Sequence, residues 1–351
     1  MSYRKKYSII AGIVTIILVI FGIINIFFNS SKDSPEYAVK MLQESIHNHD
    51  QITFNSIVNI DRLLSNSFDS FVEGTIASDK EMPEEVKDHI VSFTQMLKGP
   101  MTESMKTAIK NYVTYGSFED RSQDDKKLQG SQDSNMIAVS ELLDRTGLSK
   151  TTFREVDSVK MIKDNDKQAV ALVKVYQQEI GREFIFEVLL EKNNQDVWRV
   201  VSIRNFRSFV ESVNKARHKQ LDTYLSETNS IISRHDDTIR DAEQKYSKIL
   251  SSGSLGKDET REKLKALMTD VVKKDWEVRK QELFDIYVPQ GAESLQNLRI
   301  KICDLSIESA ELYAKWMNDK KAATVKEADD KRKQVQVLLS EEKILVSRMS
   351  K

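Results

Sequence analysis

Five histidines, a run of glutamates and one cysteine are the residues of this chain best suited to chemistry. His47 and His49 flank Asn48 just before Asp50, a grouping that could suggest a metal. Positions two apart point to different sides of a helix, and no third ligand is evident, so a solvated helix end is the better reading. None of the five histidines lies in an expected strand, so a histidine acid or base in the sheet concavity would have to come from a helix. His235 falls on an apolar seam, where it reads as a packed or register-setting residue. Glu179, Glu183, Glu187 and Glu191 could supply a carboxylate acid or base, but the last three alternate along one expected strand as a charged outer face. Tyr176, near the end of its strand, could line a cavity, but alone it makes no site. Cys303 lies among apolar residues as a small buried side chain. No nucleophile elbow, phosphate loop, dinucleotide fingerprint or zinc-binding HExxH occurs. The sequence therefore assigns no catalytic, cofactor-binding or metal residue, calls for no cofactor, and leans away from an enzyme.

The element most clearly written in the chain is Ser8–Phe28, 21 residues without a charge, of which fifteen are Ile, Val, Leu or Phe. A helix of about 20 apolar residues matches a hydrocarbon core of about 30 Å. Inserting these side chains is worth on the order of −5 kcal/mol. A cleaved signal peptide would have a shorter apolar region and a small-x-small site, which Asn29-Ser30-Ser31 matches poorly. Arg4, Lys5 and Lys6 keep the N-terminus cytoplasmic, so residues from Asn29 onward are expected outside a cell membrane crossed once. With 53 basic and 54 acidic residues the net charge is −1, giving no reason to expect nucleic acid as a partner. A single cysteine excludes an intrachain disulfide framework.

Behind a polar tether, Ser34-Pro35 starts a helix running to about His47. A second helix follows Asp50 with Phe54 and Ile57 inward, and a third carries Leu63, Leu64, Phe68, Phe71 and Val72. A fourth opens at Pro83 with Val86, Ile90, Phe93 and Leu97 inward; Gly99-Pro100 breaks it, and a further helix reaches Tyr115. Phe118 to Asn135 is polar and aperiodic, a loop that is either a solvated excursion or a lid, and a short helix is expected near Met136 to Thr146. Four strands then follow, at Thr152–Lys163, Lys167–Gln178, Arg182–Lys192 and Asp196–Arg204. Turns at Asp164-Asn165-Asp166, Ile180-Gly181 and Asn193-Asn194-Gln195 make them an antiparallel meander. Phe184, Phe186, Val188 and Leu190 share one face. The fold class is α+β, a twisted sheet wrapped over helices.

Helices beginning SPEYAVKMLQESIHNHDQITF, then a meander ending DVWRVVSIRNF, resemble the nuclear-transport-factor-like (cystatin-like) α+β cone. The likeness is greatest to its uncharacterised bacterial versions, extracytoplasmic domains behind one membrane anchor. It covers about Lys32 to Arg207 and rests on element order and the Trp198 strand. It implies a cone-shaped sheet but selects no function, because members range from isomerases to non-catalytic binding modules.

From Phe206 onward only helix is expected. Leu221, Leu225, Thr228, Ile232, His235, Ile239, Ala242, Tyr246 and Ile249 form a heptad seam that stops at the turn from Ser251 to Gly256. A second helix is expected from Asp258 to Tyr287. A third, from Leu295 through Leu305, Trp316 and Val335 to Leu345, would run about 60 residues, roughly 90 Å if unbroken. Short turns favour a helical hairpin or three-helix bundle within one chain over pairing of the same seams between two chains. The domains are thus 1–31 stub, anchor and tether, 32–206 cone-like, and 207–351 long-helix bundle or coiled-coil tail. Three functions remain open. The first is a non-enzymatic anchored protein whose tail binds or positions a protein partner at the cell envelope. The second is a ligand carrier or enzyme using the cone cavity. The third is a regulatory subunit of an envelope complex. The oligomeric state is unassigned.

Overall fold

The computed structural model describes residues 31–78, 82–116 and 143–350. The expected anchor Ser8–Phe28, the loop from Phe118 to Asn135 and most of the short helix near Met136 lie outside those residues. Among the described residues, no helix is long and apolar enough to cross a membrane. The chain divides into two compact units, one ending at Ala216 and the other beginning at Arg217.

The first unit opens with α1 (Pro35–His47), capped by Ser34, whose hydroxyl accepts the Tyr37 N–H at 3.2 Å. Asp50 caps α2 (Gln51–Ile57) by accepting the N–H groups of Ile52 and Thr53, both at 3.0 Å. These caps satisfy donors that the first turn of a helix leaves free. Next come α3 (Ile60–Ser78) and α4 (Glu84–Tyr115). Leu42, Phe54, Leu63, Leu64 and Phe68 turn inward at helical spacing and are buried.

The sheet has four antiparallel strands in the order β1 (Thr151–Ile162), β2 (Asn165–Gln177), β3 (Arg182–Lys192) and β4 (Trp198–Ile203), the meander the alternation predicts. Val173 lies opposite Phe186, Ala171 opposite Val188, and Leu190 opposite Val200, so one pleated face presents all six to the helices. The β4 edge is closed by the segment after α2: Asn59 donates to the Val200 carbonyl at 2.9 Å, and the Arg199 guanidinium donates to the carbonyls of Asn55 and Val58. The β1 edge is irregular, with register shifts that spoil a straight pairing template.

Two expectations about α4 fail. It runs unbroken through Gly99-Pro100. Proline removes one intrahelical bond, but Lys98 bonds Asp69 at 2.6 Å and Lys106 bonds Asp61 at 2.5 Å, so α3 grips the helix on both sides of the ring. The predicted inward stripe is also only partly inward. Val86 is 43% exposed and Phe93 58% exposed, and α4 buries instead Met105, Ala108, Ile109 and Val113. Periodicity marks an apolar face but does not say how far along the helix a neighbour covers it.

Helix α5 (Phe206–Ser252) begins in the first unit, where Phe206, Phe209, Val210 and Val213 join the core. A side chain at Gly74 would meet the Arg207 carbonyl and Val210 at 3.0 Å, so glycine lets α3 lie directly against this start. In the second unit follow α6 (Asp258–Leu267), a π-helical stretch Met268–Lys273, and α7 (Lys274–Asp285), which together occupy the expected second helix. The expected 60-residue third helix is two helices, α8 (Glu293–Asp319) and α9 (Ala322–Met349). Lys320 takes the left-handed conformation, φ 56°, and Asp319 accepts the Lys321 N–H at 2.9 Å and the Thr324 hydroxyl at 2.8 Å. A polar turn without glycine or proline thus reverses the chain. Lys280–Asp304 ties α7, and Lys273–Glu311 the π-helical stretch before it, antiparallel to α8, and Lys331–Glu308 and Arg299–Glu342 do the same for α8 and α9. The tail is a four-stretch antiparallel bundle in place of the expected hairpin or three-helix bundle. The expected seam of α5 does face inward, with Leu225, Thr228, His235 and Ala242 buried.

Candidate functional site

The face of the sheet that meets the helices is the first place to look for a site, and aromatic rings occupy it. Phe184 and Phe186 of β3 meet Phe209 of α5 at centroid distances of 5.2 and 4.8 Å, and Phe206 stacks 6.0 Å from Phe209. Such pairs add to the burial of the rings themselves. Among the described residues, a partly open apolar space beside Phe206 has a volume of about 40 Å³ and is lined by Leu63, Phe68, Phe71, Met105 and Leu143, among others. Sites for small organic ligands measure about 300–1,000 Å³.

The glutamates of β3 form the charged outer face that the alternation suggests. Glu183, Glu187 and Glu191 alternate with the core residues of β3, on the opposite side of the sheet. Glu191 is held by the Arg62 guanidinium and by Gln168 at 2.8 Å. Glu179 is nearly buried and accepts from Lys150 at 2.9 Å and from Gln177 at 3.2 Å. Tyr176 lies between Val175 and Gln177, which face inward, so it belongs to the outer face instead of lining a cavity. Arg154 sits 5.4 Å from its ring centroid. Sequence reasoning overlooked Gln177. Its fully buried amide donates to the Gly147 carbonyl at 3.1 Å and accepts the Ile180 N–H at 2.8 Å, stitching the β2–β3 turn to the segment before β1.

His47 is exposed, and His49, at φ 57°, faces the Val113 carbonyl with Nδ1 at 3.1 Å, which fixes Nδ1 as the protonated nitrogen. Among the described residues, no group of three or more His, Cys, Asp or Glu is placed to hold a metal.

The tail carries the denser polar chemistry. His235 is buried between two carboxylates of α7, with Nδ1 2.8 Å from Asp275 and Nε2 3.2 Å from Glu282. Arg234 also pairs with Glu282, and Arg279 bonds Asp236 at 2.8 Å while lying 4.4 Å from the Trp276 ring centroid. One heptad before His235 on α5 lies Thr228, and against it α8 places Arg299, 2% exposed. Its Nε–H donates to Glu342 at 2.7 Å, and its two terminal nitrogens donate to Thr228 and, at 3.0 Å, Asn229. The Tyr224 hydroxyl donates to Gln296 at 2.8 Å, and the Gln296 amide donates to the Leu283 carbonyl at 2.6 Å. Burial pushes the Tyr224 hydroxyl above its usual range, partly offset by Arg299. Only Thr228 and His235, polar entries in an apolar seam, hinted at these layers in the sequence. Cys303 is buried and its thiol is pushed up to about 12 by desolvation, which leaves it a packing residue.

The outer surface of the tail exposes large apolar side chains, notably Phe284 at 70% and Tyr287 at 71%, with Val278, Val337 and Ile344 about half exposed or more. Compared with models of protein families, with curated proteins and with solved structures, the chain matches none.

Proposed function

We propose that this chain is a non-enzymatic, single-pass membrane protein whose exported region binds or positions a protein partner at the cell envelope. The observation that carries the reading is the aromatic filling of the sheet's inner face by Phe184, Phe186, Phe206 and Phe209; among the described residues, the apolar space beside Phe206 has a volume of about 40 Å³. Ser8–Phe28 supports the anchor through its length and composition. The helical tail supports the partner role: exposed Phe284 and Tyr287 are the side-chain types that dominate protein interfaces. In this reading the first unit is a cone of the nuclear-transport-factor-like kind used as a support. Crosslinking in intact cells is expected to recover a specific protein with the full chain and to lose it when residues 217–351 are deleted. Equal recovery without the tail would overturn the assignment.

A further inference from the structure

The apolar seams of the tail do not by themselves determine which helices pair, or at what height. Leu221, Leu225, Ile232 and Ile239 recur at heptad spacing along α5, and Leu298, Ile302 and Leu305 do so along α8. Such seams pack nearly as well after a slip of seven residues, or against the same seams of a second copy. The layer around Arg299 differs in its partners from the layer of His235, Asp236 and Arg279 one heptad further along α5. Its guanidinium joins α8 to Glu342 of α9 and to Thr228 and Asn229 of α5. Gln296, one turn away on α8, reaches Tyr224 of α5 and the Leu283 carbonyl of α7. All four arms therefore meet at one height, and each acceptor is used once. A slip of α9 by seven residues would put Val335 or Met349 where Glu342 stands. A slip of α5 would replace Thr228 with Leu221 or His235. The α9 slip takes the carboxylate from a buried guanidinium, whereas the α5 slip takes the Thr228 hydroxyl and sets Asp222 or Asp236 where Asn229 stands, so the layer discriminates chiefly between α8 and α9.

We propose that this layer is a register lock: it selects the one in-chain pairing among those the seams allow, and adds little to how firmly the tail holds together. Replacing a buried ion pair with apolar groups of similar volume is often neutral or stabilising, so the two roles separate cleanly. The test uses the full chain in detergent, with Thr228→Val, Arg299→Leu and Glu342→Leu combined. The unfolding midpoint in urea is expected to stay level or rise. Hydrogen-exchange mass spectra of α5, α8 and α9 peptides are expected to split into two isotopic envelopes, and differently tagged copies refolded together to co-purify several-fold more than the parent. A triple variant with one envelope and the parent's level of co-purification overturns the proposal. Should the leucines overfill the layer, Arg299→Met with Glu342→Met gives the same reading. Failure of both variants to fold also overturns it, because the layer would then hold the bundle together instead of choosing its pairing.

Discussion

A guanidinium taken out of water must find acceptors, and Arg299 finds three on two other helices. Removing one partner leaves the other charge buried and uncompensated. Glu342→Ala is therefore expected to destabilise the tail by about 3–5 kcal/mol, measured by urea unfolding. Asp319 presents the opposite case, an exposed carboxylate with a directional job. The Lys321 N–H, and then the Thr324 hydroxyl, hold its carboxyl below the ordinary value of 3.8. A folded-state value below the unfolded one means the contribution is complete above 3.8 and fades as pH falls through the lower, folded value. Acid should loosen the α8–α9 turn, seen as lower amide protection factors (exchange relative to the intrinsic rate at the same pH) at Lys321 and Thr324, and Asp319→Asn should flatten that dependence. Neither residue stands out in the sequence. Glu342 is one of 54 acidic residues, and its partner lies 43 positions away, beyond the reach of any local pattern.

Elements were legible in proportion to how local their causes are. The strands announce themselves because Phe184, Phe186, Val188 and Leu190 alternate with charged or half-exposed neighbours. The caps at Ser34 and Asp50 are local hydrogen bonds, readable from residue type and position. The failures are tertiary. Pro100 is tolerated because α3 holds α4 on both sides of it, and that grip depends on Asp61 and Asp69, far back in the chain. The reversal at Lys320 is invisible because lysine seldom adopts φ 56°, and the flanking helices are both good helix formers. Since proline inside a helix costs about 3 kcal/mol and also stiffens the unfolded chain, Pro100→Ala should raise stability by a net of about 2 kcal/mol. A higher urea midpoint with unchanged helix content by circular dichroism would confirm it. An unchanged midpoint would mean that the contacts of α4 with α3 already offset the lost hydrogen bond.

Across the whole molecule, 53 basic residues nearly balance 54 acidic ones, so net charge supplies little long-range field to draw a polyanion. The apolar run Ser8–Phe28 dominates the chain's expected behaviour in a cell. The full chain should sediment with membranes and stay there through an alkaline wash, while a version lacking residues 1–28 should be released; release of both would remove the anchor from the reading. The candidate site was less legible than the fold. The sequence assigned no site residue, and it did not foresee that His235 meets Asp275 and Glu282, because convergence of side chains depends on topology that spacing alone does not encode.

The only thiol in the chain, Cys303, is sealed inside the helical bundle. The natural sequence is therefore already a clean background for site-directed labelling. One cysteine placed on any exposed turn would be the sole address open to a maleimide dye, spin label or photocrosslinker, with no native residue to engineer out beforehand. Distances and contacts could be mapped in the unaltered fold, one position at a time.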